Sequence, residues 1–210
     1  MRMNCLRAML ALFALCWATL GTAGAASPWE TLAGCSLVPS RYNDGDSFHV
    51  RHGDKEYIFR LYFVDTPEED NSFPQRIRDQ GEHFGIENDH VQEVGRLARA
   101  FTLQSLDQPF TIVTRWQHAL GRSKMPRFYA FVRPDGKDLA EELVARGLAR
   151  VYGVRAITPE GEPAASYRTR LLAMEEAART GKIGAWALAR PLTDRAAWTG
   201  SIIPETAKRQ

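Results

Sequence analysis

Nine residues, "EYIFRLYFV" (56 to 64), constrain this chain more than any other stretch. Their side chains alternate as in a strand: Tyr57, Phe59, Leu61 and Phe63 share one face, and Ile58, Arg60, Tyr62 and Val64 the other. Arg60 alone can snorkel from the rim of a barrel. An arginine inside an aromatic strand nonetheless asks which anion it meets. The strand runs directly into Asp65, Thr66, Pro67, Glu68, Glu69 and Asp70, a turn crowded with carboxylates.

The neighbouring pattern is also strand-like. "CSLVPSRY" leads through the turn "NDGD" into "SFHVRH", and "GDK" turns into the strand just described. "PFTIVTRW" (109 to 116) and "RFYAFV" (127 to 132) supply two more strands, followed by the turn Asp135-Gly136. Residues 69 to 90 read as a polar, irregular loop with a short helical piece. Val94, Leu97, Ala98 and Phe101 then recur at helical spacing. Asp138 with Glu141 approximates a capping box before "LAEELVAR", and Tyr167, Leu171, Met174 and Ala178 mark a last helix. Five strands with helices gathered after the third and fifth imply an α+β fold, with a small antiparallel barrel as one arrangement.

The N-terminus is set aside from this reading. Arg2 and Arg7 precede the apolar run "AMLALFALCWATL", and Ala23-Gly24-Ala25 offers a small-residue cleavage site, so residues 1–26 are expected to be a signal peptide. The expected location is periplasmic or secreted. "LAGC" at 32 to 35 resembles a lipoprotein box and leaves a lipid anchor on Cys35 as the lesser alternative, since "SPWET" separates it from the apolar run. Loss of Cys5 and Cys16 with the leader leaves Cys35 alone, with no intrachain disulfide. Removing Arg2 and Arg7 takes Lys plus Arg from 27 to 25, equal to the 25 Asp plus Glu. A nucleic-acid ligand would therefore be held by local arginines rather than by a global positive field.

Taken singly, the polar motifs are ordinary. Asp44-Gly45-Asp46 is a common hairpin turn, and Thr66-Pro67-Glu68-Glu69 makes a good helix start. Phe48 stands where a helix-loop-helix calcium loop would need an oxygen ligand. His83 and His90 lack a zinc spacing and read as solvated or capping residues, and His49 and His52 as surface residues on a strand. Trp116, Phe128 and Tyr129 are candidates for a stacking surface or for the core. In combination the motifs say more. Asp46 begins one strand and Asp65 ends another a hairpin away, so antiparallel pairing brings both to one barrel end. Hard oxygen donors there suit Ca²⁺, with Arg60 near enough to bind a phosphate beside it.

"DGDSFHV", "FRLYFVDTPE", "RFYAFV", "ELVARGLARVYG" and "LLAMEEAARTGKIGAW", in that order, resemble the staphylococcal nuclease (thermonuclease) family from about Cys35 to Trp186. The resemblance implies a five-stranded OB-fold barrel with about three α-helices, over a domain spanning 27–190 and followed by a tail at 191–210. It implies a Ca²⁺-dependent phosphodiesterase acting on DNA and RNA. By that resemblance Asp46, Asp65 and the Thr66 carbonyl would hold calcium, and Glu68 would be the general base. Arg60 and Arg127 would bind the scissile phosphate.

The chain also departs from the family. "KMPR" stands in place of Tyr-Gly-Arg, so Met125 replaces a substrate-lining tyrosine, and Arg122 in "GR" rivals Arg127. Strand register favours Arg127. Tyr152 lies one residue from where the family places another substrate-facing tyrosine. The segment from Glu69 to His90 is longer than the family leads one to expect, and can cover the site. The leading expectation is an exported nuclease, monomeric and with no stable protein partner. The alternative is a catalytically impaired OB-fold nucleic-acid-binding module, and the third a phosphodiesterase for another exported phosphoester.

Overall fold

The computed structural model describes residues 28–120 and 125–190; the expected leader (1–26), Ser27, Arg122 and the tail at 191–210 lie outside the described residues. The elements are β1 (Glu30–Leu37), β2 (Ser47–His52), β3 (Lys55–Leu61), β4 (Val64–Asp65), α1 (Pro74–Phe84), α2 (Asn88–Ser105), β5 (Phe110–His118), β6 (Arg127–Arg133), α3 (Leu139–Ala145), β7 (Arg150–Val151) and α4 (Ala164–Thr180). Strands β1, β2, β3, β6 and β5 close into a barrel in that order. β3 and β6 run parallel and the other pairs are antiparallel. The fold is α+β with an OB-type barrel, as expected, although the parallel pair makes the barrel mixed rather than purely antiparallel. β1 begins earlier than "CSLVPSRY" suggested. Cys35 lies wholly buried within it, and its Sγ–H donates to the Leu32 carbonyl.

The long third strand does not run through to Val64. It breaks after Leu61, because Phe63 adopts a left-handed backbone (φ 66°). That conformation costs about 1–2 kcal/mol for a non-glycine residue. Burying the Phe63 ring returns about 1.5–3 kcal/mol; its centroid lies 4.7 Å from that of Tyr167. Both backbone groups of Phe63 are also satisfied: its N–H donates to Val154 O (2.9 Å), and its carbonyl accepts from Tyr152 N (2.8 Å). Burial and pairing outweigh the strain. Beyond the bend, β4 leaves the barrel and pairs with β7, which places Asp65 opposite Arg150.

Three helices fall where the apolar spacing put them. The fourth, α1, occupies residues read as mostly irregular loop. Its Ile77 and Phe84 join the common core with Val91, Val94 and Ala98 of α2. His83, in the last turn of α1, keeps 31% of its side chain exposed and also makes contacts that its sequence neighbours did not suggest. Its ring packs against Phe84 and Trp186, and its Nε2 lies 3.1 Å from Glu175 Oε1 on α4. Trp116, Phe128 and Tyr129 pack into aromatic contacts with Tyr57, Phe59 and Tyr62. Asp138 caps α3 by accepting from Ala140 N and Glu141 N, whereas Glu141 turns to Arg170 rather than back to the cap.

Candidate active site

Two loops meet at one end of the barrel, and α2 braces both. In the Asp44-Gly45-Asp46 turn, Asp44 is the structural member: its Oδ1 accepts from Asp46 N (3.1 Å) and Ser47 N (2.6 Å). Gly45 is needed for space, since a Cβ there would lie 2.7 Å from Thr66 Cγ2. The turn therefore packs directly on the Asp65-Thr66-Pro67-Glu68 segment. From α2, Thr102 Oγ1 donates to Gly45 O (2.7 Å), and Arg99 Nε to Asn43 O (2.8 Å). Gly95 of α2 lies under the other loop, where a Cβ would stand 2.6 Å from Pro67 O and 2.7 Å from Glu68 O. No helix starts at Thr66; the segment is irregular, bending and turning over residues 69–72, until Pro74 opens α1.

Arg60 joins the two acids. Its Nη2 donates to Asp46 Oδ2 (2.8 Å) and to Asp65 Oδ1 (3.1 Å). In an unbroken strand, positions 60 and 65 would face opposite ways. The bend at Phe63 returns Asp65 to Arg60. Asp65 is surrounded by donors: Arg76 Nη2 reaches Oδ1 at 2.5 Å, while Arg150 Nε and Gln80 Nε2 both reach Oδ2 at 3.0 Å. Burial pushes the Asp65 carboxyl up, but Arg76, Arg150, the Gln80 amide and Arg60 together hold it below its ordinary value. Asp46 is equally buried with fewer partners, Arg60 and the Thr66 N–H (3.2 Å). Burial pushes its carboxyl up to about 7, against the pull of Arg60 and helped by Asp44 and Asp65.

Glu68 is less buried than either aspartate, and its Oε1 takes Arg76 Nη1 at 2.7 Å. Burial raises its carboxyl, Asp65 and Asp46 add to the rise, and Arg76 opposes it. The Glu68 N–H donates to Gln80 Oε1 (2.9 Å), and Gln80 Nε2 donates to both Asp65 Oδ2 and Thr66 O (3.0 Å each). One fully buried amide thus holds three residues of this loop, Asp65, Thr66 and Glu68.

Arg127 opens β6 in register with Ile58, two positions from Arg60 on the adjacent parallel strand, so the two arginines share a face. Its Nη1 reaches Ser47 Oγ (3.3 Å) and its Nη2 the Leu120 carbonyl (2.8 Å), while its Nε is buried with no partner among the described residues. Burial and the nearby Arg60 push its guanidinium below the usual arginine range, so it gives up its proton more readily than a free arginine. Tyr152 is exposed beside Arg155 and Arg168, and its ring packs under Arg150 (4.4 Å). Through Arg150 it lies one side chain from Asp65. Among the described residues, no three His, Cys, Asp or Glu side chains converge as metal ligands do. The donors at this end are Asp46, Asp65 and the Thr66 carbonyl, all hard oxygens. A buried carboxylate short of positive partners, as Asp46 is, fits a hard divalent cation.

Arg76, Gln80 and Arg150 complete the cluster and carried no sequence signal. A polar i, i+4 pair in a helix with only Ile77 and Phe84 to mark its apolar face, and an arginine 85 residues from its partner, leave no local pattern to read.

A family model described as "Staphylococcal nuclease homologue" matches residues 58–188, more than half of the chain. That match begins within β3, so it takes in Arg60 to Trp186 and leaves Asp46 ahead of it. The "Endonuclease YncB" of Bacillus subtilis (strain 168) is 29% identical over 162 residues, covering 76% of this chain and 65% of that protein. The "SPbeta prophage-derived endonuclease YokF" of the same strain is 28% identical over 154 residues, covering 72% of this chain and 44% of its own length. The chain thus spans under two thirds of the length of either relative. Barrel, loop pair and family match agree: this chain belongs to the staphylococcal nuclease homologue family.

Proposed function

We propose that the protein is an exported, Ca²⁺-dependent nuclease that hydrolyses phosphodiester bonds of DNA, RNA or both. The observation that carries this reading is the convergence of Arg60, Asp46, Asp65, Glu68 and Arg127 on one barrel end, with a buried Arg127 Nε–H lacking an acceptor among the described residues. A buried donor without a partner is costly, and a phosphate oxygen would satisfy it. Arg60 and Arg127 would donate to the non-bridging oxygens, where charge grows as the phosphorus becomes pentacoordinate. Glu68 would take the proton of the attacking water, while the leaving oxygen departs on the side of Arg127. The raised Glu68 carboxyl is a better proton acceptor than an exposed glutamate. Asp46, Asp65 and the Thr66 carbonyl would hold Ca²⁺, which when bound supplies charge neutralisation and Lewis acidity at the phosphate. Exposed Tyr152 would offer a base a stacking face.

The names of the two Bacillus subtilis relatives support endonucleolytic action. Export rests on the leader-like residues 1–26, and the burial of Cys35 in β1 supports a released form over a lipid-anchored one. A monomer is the state proposed. The competing reading, an OB-fold nucleic-acid-binding module without turnover, draws on the saturation of Asp65 by Arg60, Arg76, Arg150 and Gln80. Cleavage of single-stranded DNA by the chain from Ser27 onward, with Ca²⁺ and then with excess EGTA, separates them. Calcium-dependent cleavage that disappears in Glu68→Ala establishes the nuclease. Retained oligonucleotide binding without cleavage establishes the binding module.

A further inference from the structure

Arg76 is placed against an elementary preference. It lies in the first turn of α1, where the helix dipole disfavours a cation, and that turn carries no acid and no side-chain cap. What holds it there is a pair of carboxylates in front of the helix: Nη2 on Asp65 Oδ1 at 2.5 Å and Nη1 on Glu68 Oε1 at 2.7 Å. Gln80, four residues on and therefore on the same helical face, engages the same loop. The helix thus presents one polar face to the site.

The charge balance of the cluster gives that placement a meaning. Four carboxylates (Asp44, Asp46, Asp65 and Glu68) face four guanidiniums (Arg60, Arg76, Arg127 and Arg150). The cluster is formally neutral before any cation enters. Adding two positive charges beside Asp46 and Asp65 drives out the guanidinium that is easiest to release. Arg60 is 16% exposed and tied to both aspartates, and Arg150 is 9% exposed and fixed opposite Asp65 in the β4–β7 pair. Arg76 is 38% exposed and sits at a helix end. Its Asp65 contact also uses the same Oδ1 that faces Arg60 and Asp46, so a cation shared by the two aspartates and this guanidinium compete for one oxygen.

We propose that Arg76 is a resident counter-ion, exchanged from Asp65 for a divalent cation when the site loads, so that α1 sets the cation affinity of this nuclease-like site. The exchange rests on the reading that Asp46, Asp65 and Thr66 take Ca²⁺. Calcium titration calorimetry of the full chain without nucleic acid tests it, comparing wild type with Arg76→Gln, Arg76→Lys and the exposed control Arg78→Gln. Arg76→Gln is expected to bind Ca²⁺ about tenfold more tightly, the equivalent of losing one partly buried competing ion pair. Arg76→Lys, which keeps the charge, stays within a few-fold of wild type, as does Arg78→Gln. Unchanged or weaker binding by folded Arg76→Gln, or equal tightening by Arg78→Gln, overturns the exchange alone. Absence of calcium binding in every protein overturns the exchange together with the calcium reading, so the two failures are told apart.

Discussion

The molecule carries two networks of arginine and carboxylate, and they differ in what holds them. At the barrel end, Asp46 and Asp65 are each 2% exposed, and their partners arrive from β3, β7 and α1. On another surface, Arg133 meets Glu160, and Arg170 meets Glu141 and Glu162, with every one of these side chains a quarter or more exposed. The residue types are the same. In the first network the two aspartates are desolvated and must be matched, so the loss of a partner strands a buried charge. In the second, water replaces whatever is removed. Number of contacts therefore says little about importance, and burial of the partner left behind says much.

Substitutions sharpen this contrast, beginning where the effect is largest. Arg127→Ala is expected to slow turnover by about 100- to 1,000-fold, the usual cost of one transition-state donor, with calcium affinity near wild type. Single-turnover cleavage beside calcium titration checks it. If Arg122→Ala is the variant that abolishes cleavage, the phosphate arginine has been assigned to the wrong position. Gln80→Leu should cost about 1–3 kcal/mol in urea unfolding, because it leaves buried groups of the Asp65–Glu68 loop without their partner.

The outer network, and the buried α3 cap Asp138 beside its Glu141, should respond more weakly. Burial, aided by Glu141, raises the Asp138 carboxyl from 3.8 to about 6. The folded state then holds the proton more tightly than the unfolded chain, so the contribution of this group is full below about pH 4 and lost as pH rises through about 6. Asp138→Asn keeps a capping side chain and removes that loss. Its melting temperature should gain on wild type across this window, by the equivalent of on the order of 1 kcal/mol. Arg170→Ala should alter stability by less than about 1 kcal/mol at neutral pH. A larger loss would show that the exposed network acts like the buried one.

How far each part was legible in the sequence follows the same division. The barrel strands were readable because alternation survives burial: Phe48 and Val50, and Phe59 and Leu61, each stand two apart and lie in the core. Asp46, Arg60, Asp65, Thr66, Glu68 and Arg127 were readable because they sit in short, ordered motifs, and the structure brings all six to one end of the barrel. α1 was not, since the side it buries is partly polar; fully buried Gln80 looks like any surface glutamine until Asp65, Thr66 and Glu68 are seen around it. Arg150 stayed hidden for a different reason: its partner is set by the pairing of β4 with β7, which two residues in each strand cannot announce. The contact of His83 with Glu175 left no local signal because the two stand 92 residues apart.

The left-handed turn at Phe63 has a consequence for the spelling of the chain itself. Arg60 and Asp65 are separated by an odd number of positions, a spacing that a straight strand forbids for two side chains that touch. The bend makes the odd spacing correct and every even one wrong. A single-residue insertion or deletion between Leu61 and Val64 would therefore do more than shift a loop: it would turn the aspartate away from its arginine, and with it the end of the barrel on which three other guanidinium and amide groups converge. The four residues from Leu61 to Val64 are thus a gauge of fixed length, held by their burial in the core and closed to changes of number.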